Sequence, residues 1–340
     1  MPRIRRSAED FQVEEIPLYE PSGSGSFLWL WIEKTGRNTQ DLVTDLSRGL
    51  GLKGRDVGYA GRKDRHAVTR QAFTVPAGVE PRLAELDLEG AEILAVERTD
   101  HRLRTGQLLG NRFRLKIHEV DGDRESELQD RFDTLARQGL PNRFGAQRFG
   151  RDGRNVERGR KILSSPRVQG DKRRAWLMVS ALQSAVFNEV LSRRPYDRLL
   201  AGDVALIHAT DDWLWIDDPA TEQDRLQAFE LSPTGPIFGT KTKRPRGEVM
   251  ELEAQVMADM DLPPVREIRP PKGIQLYGDR RPLRVRPQHA ALHFLPSEGA
   301  VQLDFDLPAG SYATVLVEEL FGETLDEGPD EPTESAETAT

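Results

Sequence analysis

Phe27-Leu28-Trp29-Leu30-Trp31-Ile32 is the longest uninterrupted apolar run in the 340-residue chain. It is far too short to cross a bilayer. It also has no polar side to turn toward water, so a strand covered on both faces and central in a sheet is the arrangement that hides it. Other segments supply strands with only one apolar face. Phe113, Leu115 and Ile117 alternate with Arg112, Arg114, Lys116 and His118. Val301, Leu303, Phe305 and Leu307 alternate with Gln302, Asp304 and Asp306. Such period-two patterns put one set inward and the other outward. Glu9–Ile16 alternates as well, and the Gly/Ser turn Pro21–Ser26 predicts a hairpin between it and Phe27–Ile32. Ile93–Val96 reads as a short strand, and Phe73–Val75 as the start of a strand that Pro76 interrupts.

Helical signals separate these strands. Asn38 and Thr39 are capping residues with Asp41 in the first turn, and Leu42, Val43, Leu46 and Leu50 follow at helical spacing. Gly49 and Gly51 close that element. Leu128–Gln138 is helical and Gly139 ends it. Beyond it, Trp176, Val179, Leu182, Val186, Phe187 and Val190 form a stripe expected in a core. Val204–Ile207 and Trp213–Ile216 suggest a small hairpin, and Glu248–Met260 a helix. Ser311 is expected to cap a helix running to Leu320. The length suits two domains, with a junction at Gly139.

The chain has no cysteine, which excludes disulfides and thiolate metal sites and fits a reducing cytoplasm. Basic Met1–Arg6 is not followed by an apolar core, so neither a signal peptide nor a membrane association is expected. The net charge of -8 is unevenly distributed. Nine acidic residues and no Lys or Arg lie between Glu318 and Thr340, and the rest of the chain holds 47 acidic against 48 basic residues. Arg143–Arg174 holds eleven Lys/Arg against three acids, and His101–Ile117 five against none. Lys241, Lys243, Arg244 and Arg246 make a further cationic loop. Clumped positive charge on a balanced body suits a phosphate backbone. The cationic side of Arg112–His118 is therefore a candidate RNA-contacting surface. Residues 322–340 are expected to be a disordered acidic tail.

Gly58-Tyr59-Ala60-Gly61-Arg62-Lys63-Asp64-Arg65-His66-Ala67-Val68-Thr69-Arg70-Gln71 carries Arg62, Lys63, Arg65 and Arg70 around one carboxylate, Asp64. Nearby cations favour the charged form of a carboxylate, and a Gly-rich bend can present it to a ligand. A solvated loop with an incidental ion pair has the same composition. Pro141–Gly150 interleaves aromatics with Arg and Gly, which suits stacking on unpaired bases. His289 and His293 have the spacing to share a helix face but lack a third ligand. No phosphate-cradling loop or dinucleotide fingerprint occurs.

Ala60–Gln71 resembles the signature of the TruD family of RNA pseudouridine synthases, roughly Ala-Gly-x-Lys-Asp-x-x-Ala-x-Thr-x-Gln. Glu9-Asp10-Phe11-Gln12-Val13, Gly110-Asn111-Arg112-Phe113, Pro141–Gly150, Ala181–Asn188, Thr234–Gly239 and Leu307–Thr314 resemble further family segments in the same order. Glu318-Glu319-Leu320 departs from the family's frequent Arg-Glu-Leu.

The resemblance implies an α+β fold: a catalytic domain with a mixed, mainly antiparallel sheet, and an inserted, mostly helical α/β TRUD domain. Residues 1–138 and 287–321 would be catalytic and 139–286 the insert. It implies isomerisation of a uridine in tRNA, expected at position 13, to pseudouridine. Asp64 would be the essential carboxylate, and Phe11, Phe113 and Tyr312 would line the uridine pocket. Asn111 would orient the base, and Lys63, with Arg62, would hold Asp64 ionised and meet RNA phosphate. No metal or cofactor is expected. tRNA is the expected partner, with no obligatory protein partner and a monomeric state. A non-catalytic RNA-binding protein of the same fold is the alternative, but it would not need the Lys63-Asp64 pair. A carboxylate-based nucleosidase would need a second acid, and none accompanies Asp64 in the sequence.

Overall fold

Phe27–Lys34 forms a strand hydrogen-bonded on both edges and covered on both faces. Leu28, Leu30 and Ile32 meet Leu42, Val43, Leu46 and Leu50 on one side, while Trp29 packs with Ala72 and Leu103 on the other. The computed structural model describes residues 1–326. In chain order its strands are β1 Arg3–Ile4, β2 Phe11–Pro17, β3 Phe27–Lys34, β4 Gly58–Tyr59, β5 Val68–Pro76, β6 Ala91–Thr99, β7 Leu108–His118, β8 Leu140–Pro141, β9 Val204–Ile207, β10 Asp212–Trp215, β11 Leu231–Ile237, β12 Asp279–Pro282, β13 Arg284–Val285, β14 Gln288–Leu295, β15 Ala300–Pro308 and β16 Leu325–Asp326. The helices are α1 Thr39–Leu50, α2 Glu125–Gln138, α3 Arg154–Leu163, α4 Lys172–Ser192, α5 Gln223–Gln227, α6 Gly247–Asp259 and α7 Ala313–Phe321.

The described chain gathers into two compact units. One takes Met1–Asp133, Pro287–Ala313 and the residues from Val317 on; the other takes Thr134–Arg286 with Thr314–Leu316.

The first unit is a large sheet in the order β14-β15-β7-β2-β5-β3-β6, with β1 also on β7 and β4 on β5. β2 and β5 are parallel, and the other pairs along that order are antiparallel. The sequence predicts a hairpin of β2 and β3, but β5 lies between them. Gln71 through Val75 are all buried, so this strand needs neighbours on both edges and takes the central place. The nine residues between β2 and β3 reach across it easily. β5 also starts earlier than the sequence suggests, and it absorbs Val68–Gln71 of the Asp64 stretch.

α1 begins where its caps place it: Asn38 accepts from the Asp41 N–H, and Gly51 ends the helix in the left-handed region. α7 begins one residue later than expected, with Tyr312 rather than Ser311 at the cap position. Leu325–Asp326, counted in sequence with the acidic tail, pair in parallel with Arg3–Ile4. The rest of that tail, 327–340, lies outside the described residues. His289 and His293 lie on strand β14 and not on a helix, opposite acids of β15: Asp306 at 2.9 Å and Asp304 at 3.8 Å. Among the described residues no group of three or more His, Cys, Asp or Glu stands as a metal site, and no helix is long and apolar enough to cross a membrane.

The second unit places a sheet in the order β10-β9-β11-β12 with α3, α4 and α6. Val179, Leu182, Val186 and Val190 of α4 share its main core with Val256 and Ile274. Trp176, expected in that core, is exposed. Ala175, one residue earlier, is already in that core, so Trp176 stands on the face of this turn that points away from it.

Candidate active site

Asp64 lies in the loop joining β4 to β5, and the loop backbone is held at several points. The Lys63 N–H donates to the Thr39 hydroxyl at 2.8 Å. That hydroxyl donates to the Gln71 side-chain carbonyl at 2.9 Å, and the Gln71 amide donates to the Gly61 carbonyl at 2.9 Å. Thr39 and Gln71 are buried, so each of these hydrogen bonds replaces solvation the loop has given up. Lys34, at the end of β3, donates to the Asp64 carbonyl at 2.9 Å and to the Arg37 carbonyl at 2.5 Å. The Arg65 guanidinium donates to the Gly36 carbonyl at 3.0 Å.

The cations of the loop do not surround Asp64 as the sequence suggests. Lys63 turns inward, and its ammonium donates to Glu15 of β2 at 2.7 Å. Gly61 makes room for this pair: a Cβ there would stand 3.2 Å from the Lys63 Nζ and 3.6 Å from Glu15. Arg70 is bound to Glu33 at 2.7 Å, and Arg62 is exposed. The expected reach of Lys63 toward a phosphate is thus corrected, because its charge is spent on a buried carboxylate.

The cation beside Asp64 comes from the N-terminus. Arg5 Nη2 stands 3.7 Å from the Asp64 carboxylate, and Arg5 also meets Asp326 at 3.2 Å. Its guanidinium lies over the Phe11 ring, 4.3 Å from the centroid. Arg5 therefore links two residues picked from sequence, Asp64 and buried Phe11. The Asp64 side chain keeps 31 % exposure.

β7 supplies the next group. Asn111 stands opposite Glu15 of β2 and Leu307 of β15, so Glu15 is both the partner of Lys63 and the cross-strand neighbour of Asn111. Asn111 Oδ1 is enclosed and has no hydrogen-bond donor among the described residues. Gly110 precedes it because the strands are in tight contact there: a Cβ would fall 2.2 Å from the Leu307 carbonyl oxygen. Phe113 points into the core and stacks on Phe305, with centroids 5.3 Å apart. Tyr312, half-buried, opens α7 after the turn that ends β15.

The other face of β7 is balanced by acids. Arg112 meets Asp306 at 3.1 Å and Glu14 at 3.5 Å, Arg114 meets Asp304 at 2.7 Å, and Lys116 pairs with Glu298. The cationic surface expected there is corrected accordingly: β2 and β15 bring acids to a strand whose own sequence has none.

Arg5, Glu15 and Lys34 were missed in the sequence. Glu15 shares the inward phase of Phe11 and Val13, and Lys34 that of Leu28, Leu30 and Ile32. A charge in an apolar phase is the signal that could have found them. Arg5 has no such mark within its basic run.

The family described as tRNA pseudouridine synthase D (TruD) matches this chain over residues 2–166 and 171–320. A tRNA pseudouridine synthase D of Anaeromyxobacter sp. (strain Fw109-5) is 41 % identical over 93 % of this chain and 91 % of its own length. A protein of the same name from Thermus thermophilus is 39 % identical over 97 % of this chain and 91 % of its own. A solved structure of a putative tRNA pseudouridine synthase D from Methanosarcina mazei superposes with a TM-score of 0.73. It covers 94 % of this chain and 93 % of that one at 21 % identity, a likeness of fold.

Proposed function

The chain belongs to the TruD family, and on that premise we propose that it isomerises a uridine of tRNA, at position 13, to pseudouridine. In this reaction the N1–C1′ bond breaks, the uracil turns, and a C5–C1′ bond forms. A proton leaves C5 and one is gained at N1, so the atoms balance without an oxidant or reductant. The unit built around Asp64 is the catalytic one; 139–286 is the inserted domain, and 1–138 with 287–321 form the catalytic domain.

One observation carries the reading. Asp64 is the carboxylate of a loop fixed through its backbone, and its side chain accepts no hydrogen bond among the described residues. A group that attacks a substrate or takes its proton must be held in place and still be free to react. Asp64 acts on the target nucleotide as nucleophile or base. The nucleotide leaves its stack to reach it. Phe11 and Tyr312 give the pocket apolar walls, Phe113 backs it from the core, and Asn111 Oδ1 accepts from the uracil N3–H.

The test is unmodified tRNA incubated with wild type and Asp64→Asn, followed by mapping of pseudouridine. Wild type forms it at position 13; the variant folds and binds tRNA like wild type but forms none. Turnover by Asp64→Asn within tenfold of wild type would overturn the assignment.

A further inference from the structure

Trp176 stands on the first turns of α4 with 52 % of its surface exposed, and its neighbour Leu177 is exposed too. The spacing places Trp176 four residues after Lys172 and three after Arg173, on one helix face. One turn further along is Ser180, whose hydroxyl accepts from Arg148 Nη2 at 2.5 Å, while Arg148 Nε donates to Ser184 at 3.4 Å. Arg148 belongs to the aromatic- and Arg-bearing stretch Pro141–Gly150, and it lies 5.8 Å from the Phe144 ring centroid. A strip along α4 thus runs from Lys172 and Arg173 through Trp176 to Arg148.

The strip adjoins cations that make no ion pair among the described residues. Lys172, Arg173 and Arg174 are exposed and have no acidic partner among the described residues, and the same holds for Arg158 and Lys161 of α3. α3 packs tightly on α4, with Gly159 against the Met178 carbonyl. The cations of β7 differ in each having an acid opposite. An indole left in water beside repelling cations is unfavourable on both counts. One occupant relieves both: phosphates meet the cations and an unpaired base covers the ring.

We propose that this strip is a second RNA-docking surface, within the unit Thr134–Arg286, on which Trp176 stacks an unpaired base of the tRNA. The proposal rests on tRNA as substrate. It adds a binding group that takes no part in the chemistry at Asp64.

The test measures tRNA affinity, KM and kcat for wild type, Trp176→Ala, Trp176→Phe, Lys172→Gln/Arg173→Gln and, as a control, Arg114→Gln. Trp176→Ala should weaken binding and raise KM by about five- to a hundredfold. It should leave kcat at saturating tRNA within about twofold and the melting temperature unchanged, because the side chain is exposed. Trp176→Phe should keep most of the affinity. Lys172→Gln/Arg173→Gln should lower the slope of log K against log salt by roughly 1.4, at about 0.7 per single-strand phosphate contact. Arg114→Gln should change the slope little. Trp176→Ala binding within twofold of wild type would overturn the proposal. So would a loss that follows melting temperature, or a changed oligomeric state at unchanged affinity, which would mark a protein-docking face. A wild type that binds tRNA but makes no pseudouridine would count against the activity, whereas the affinity series judges the surface alone.

Discussion

The ammonium of Lys63 lies 2.7 Å from a carboxylate oxygen of Glu15, with the two side chains 4 % and 1 % exposed. The pair ties the Asp64 loop to β2 at the residue facing Asn111. The Ala72 N–H donates to the other Glu15 oxygen at 3.4 Å. A buried ion pair is strongly coupled: removing one partner leaves an uncompensated charge, at a cost of about 3–5 kcal/mol, while replacing both can be nearly neutral. Lys63→Met should therefore lower the denaturant midpoint steeply, and Lys63→Met/Glu15→Leu should recover much of the loss. A single substitution costing less than about 1 kcal/mol would show that the pair does not anchor the loop.

Lys34 is 1 % exposed. Burial lowers its pKa from the ordinary 10.5 to about 8; Lys63 and Arg37 push the same way, and Asp64 and Asp41 oppose. With the folded-state pKa below the unfolded one, the unfolded chain binds more protons between about pH 8 and 10.5. The cost of burying the charge is then full below pH 8 and relieved as pH rises toward 10.5. Measured against Lys34→Met, the unfolding free energy should shift in favour of wild type by about 3 kcal/mol between neutral pH and the upper end of that window. A difference that stays flat with pH would mean that Lys34 is not buried as a cation.

Arg5 contacts Asp64, Phe11 and Asp326 from a left-handed backbone conformation, φ 59°. Partly exposed ion pairs contribute up to about 1 kcal/mol, so Arg5→Met should reduce kcat about two- to fivefold, with Arg5→Lys in between. Single-turnover pseudouridine formation at saturating tRNA reads this directly. An unchanged rate would leave Arg5 a packing residue.

The sheet was largely legible because its strands carry their burial in their sequence: β3 is apolar on both faces, and β7 and β15 on one. Strand order was not legible, since the placing of β5 between β2 and β3 depends on pairing across the chain. Asp64 and its loop were recognisable from local sequence, but the loop's charge partners were not. Arg5 and Glu15 lie about fifty residues or more from the loop residues they meet, Asp64 and Lys63. The ion pairs on β7 were hidden for the same reason, because a strand's own sequence does not say which acids will face it. Trp176 failed as a core residue because it sits at the edge of the helical stripe: on that turn Ala175 takes the core position and Trp176 the exposed one.

Asn111 offers the sharpest separation of stability from function. Its Oδ1 is enclosed without a donor among the described residues, and leaving such an acceptor unsatisfied costs about 1–3 kcal/mol. The bland account is a local packing compromise on β7; the functional account is an acceptor kept open for the uracil N3–H. Asn111→Leu has similar volume and removes the unsatisfied atom, so it should hold or raise the melting temperature. Losing a hydrogen bond to the base should at the same time lower kcat/KM about tenfold or more. Asn111→Asp keeps an acceptor but adds a charge in an enclosed place, and should lose both stability and activity. If Asn111→Leu kept wild-type kcat/KM, the enclosed oxygen would be a packing compromise and the base would have to be oriented by another group.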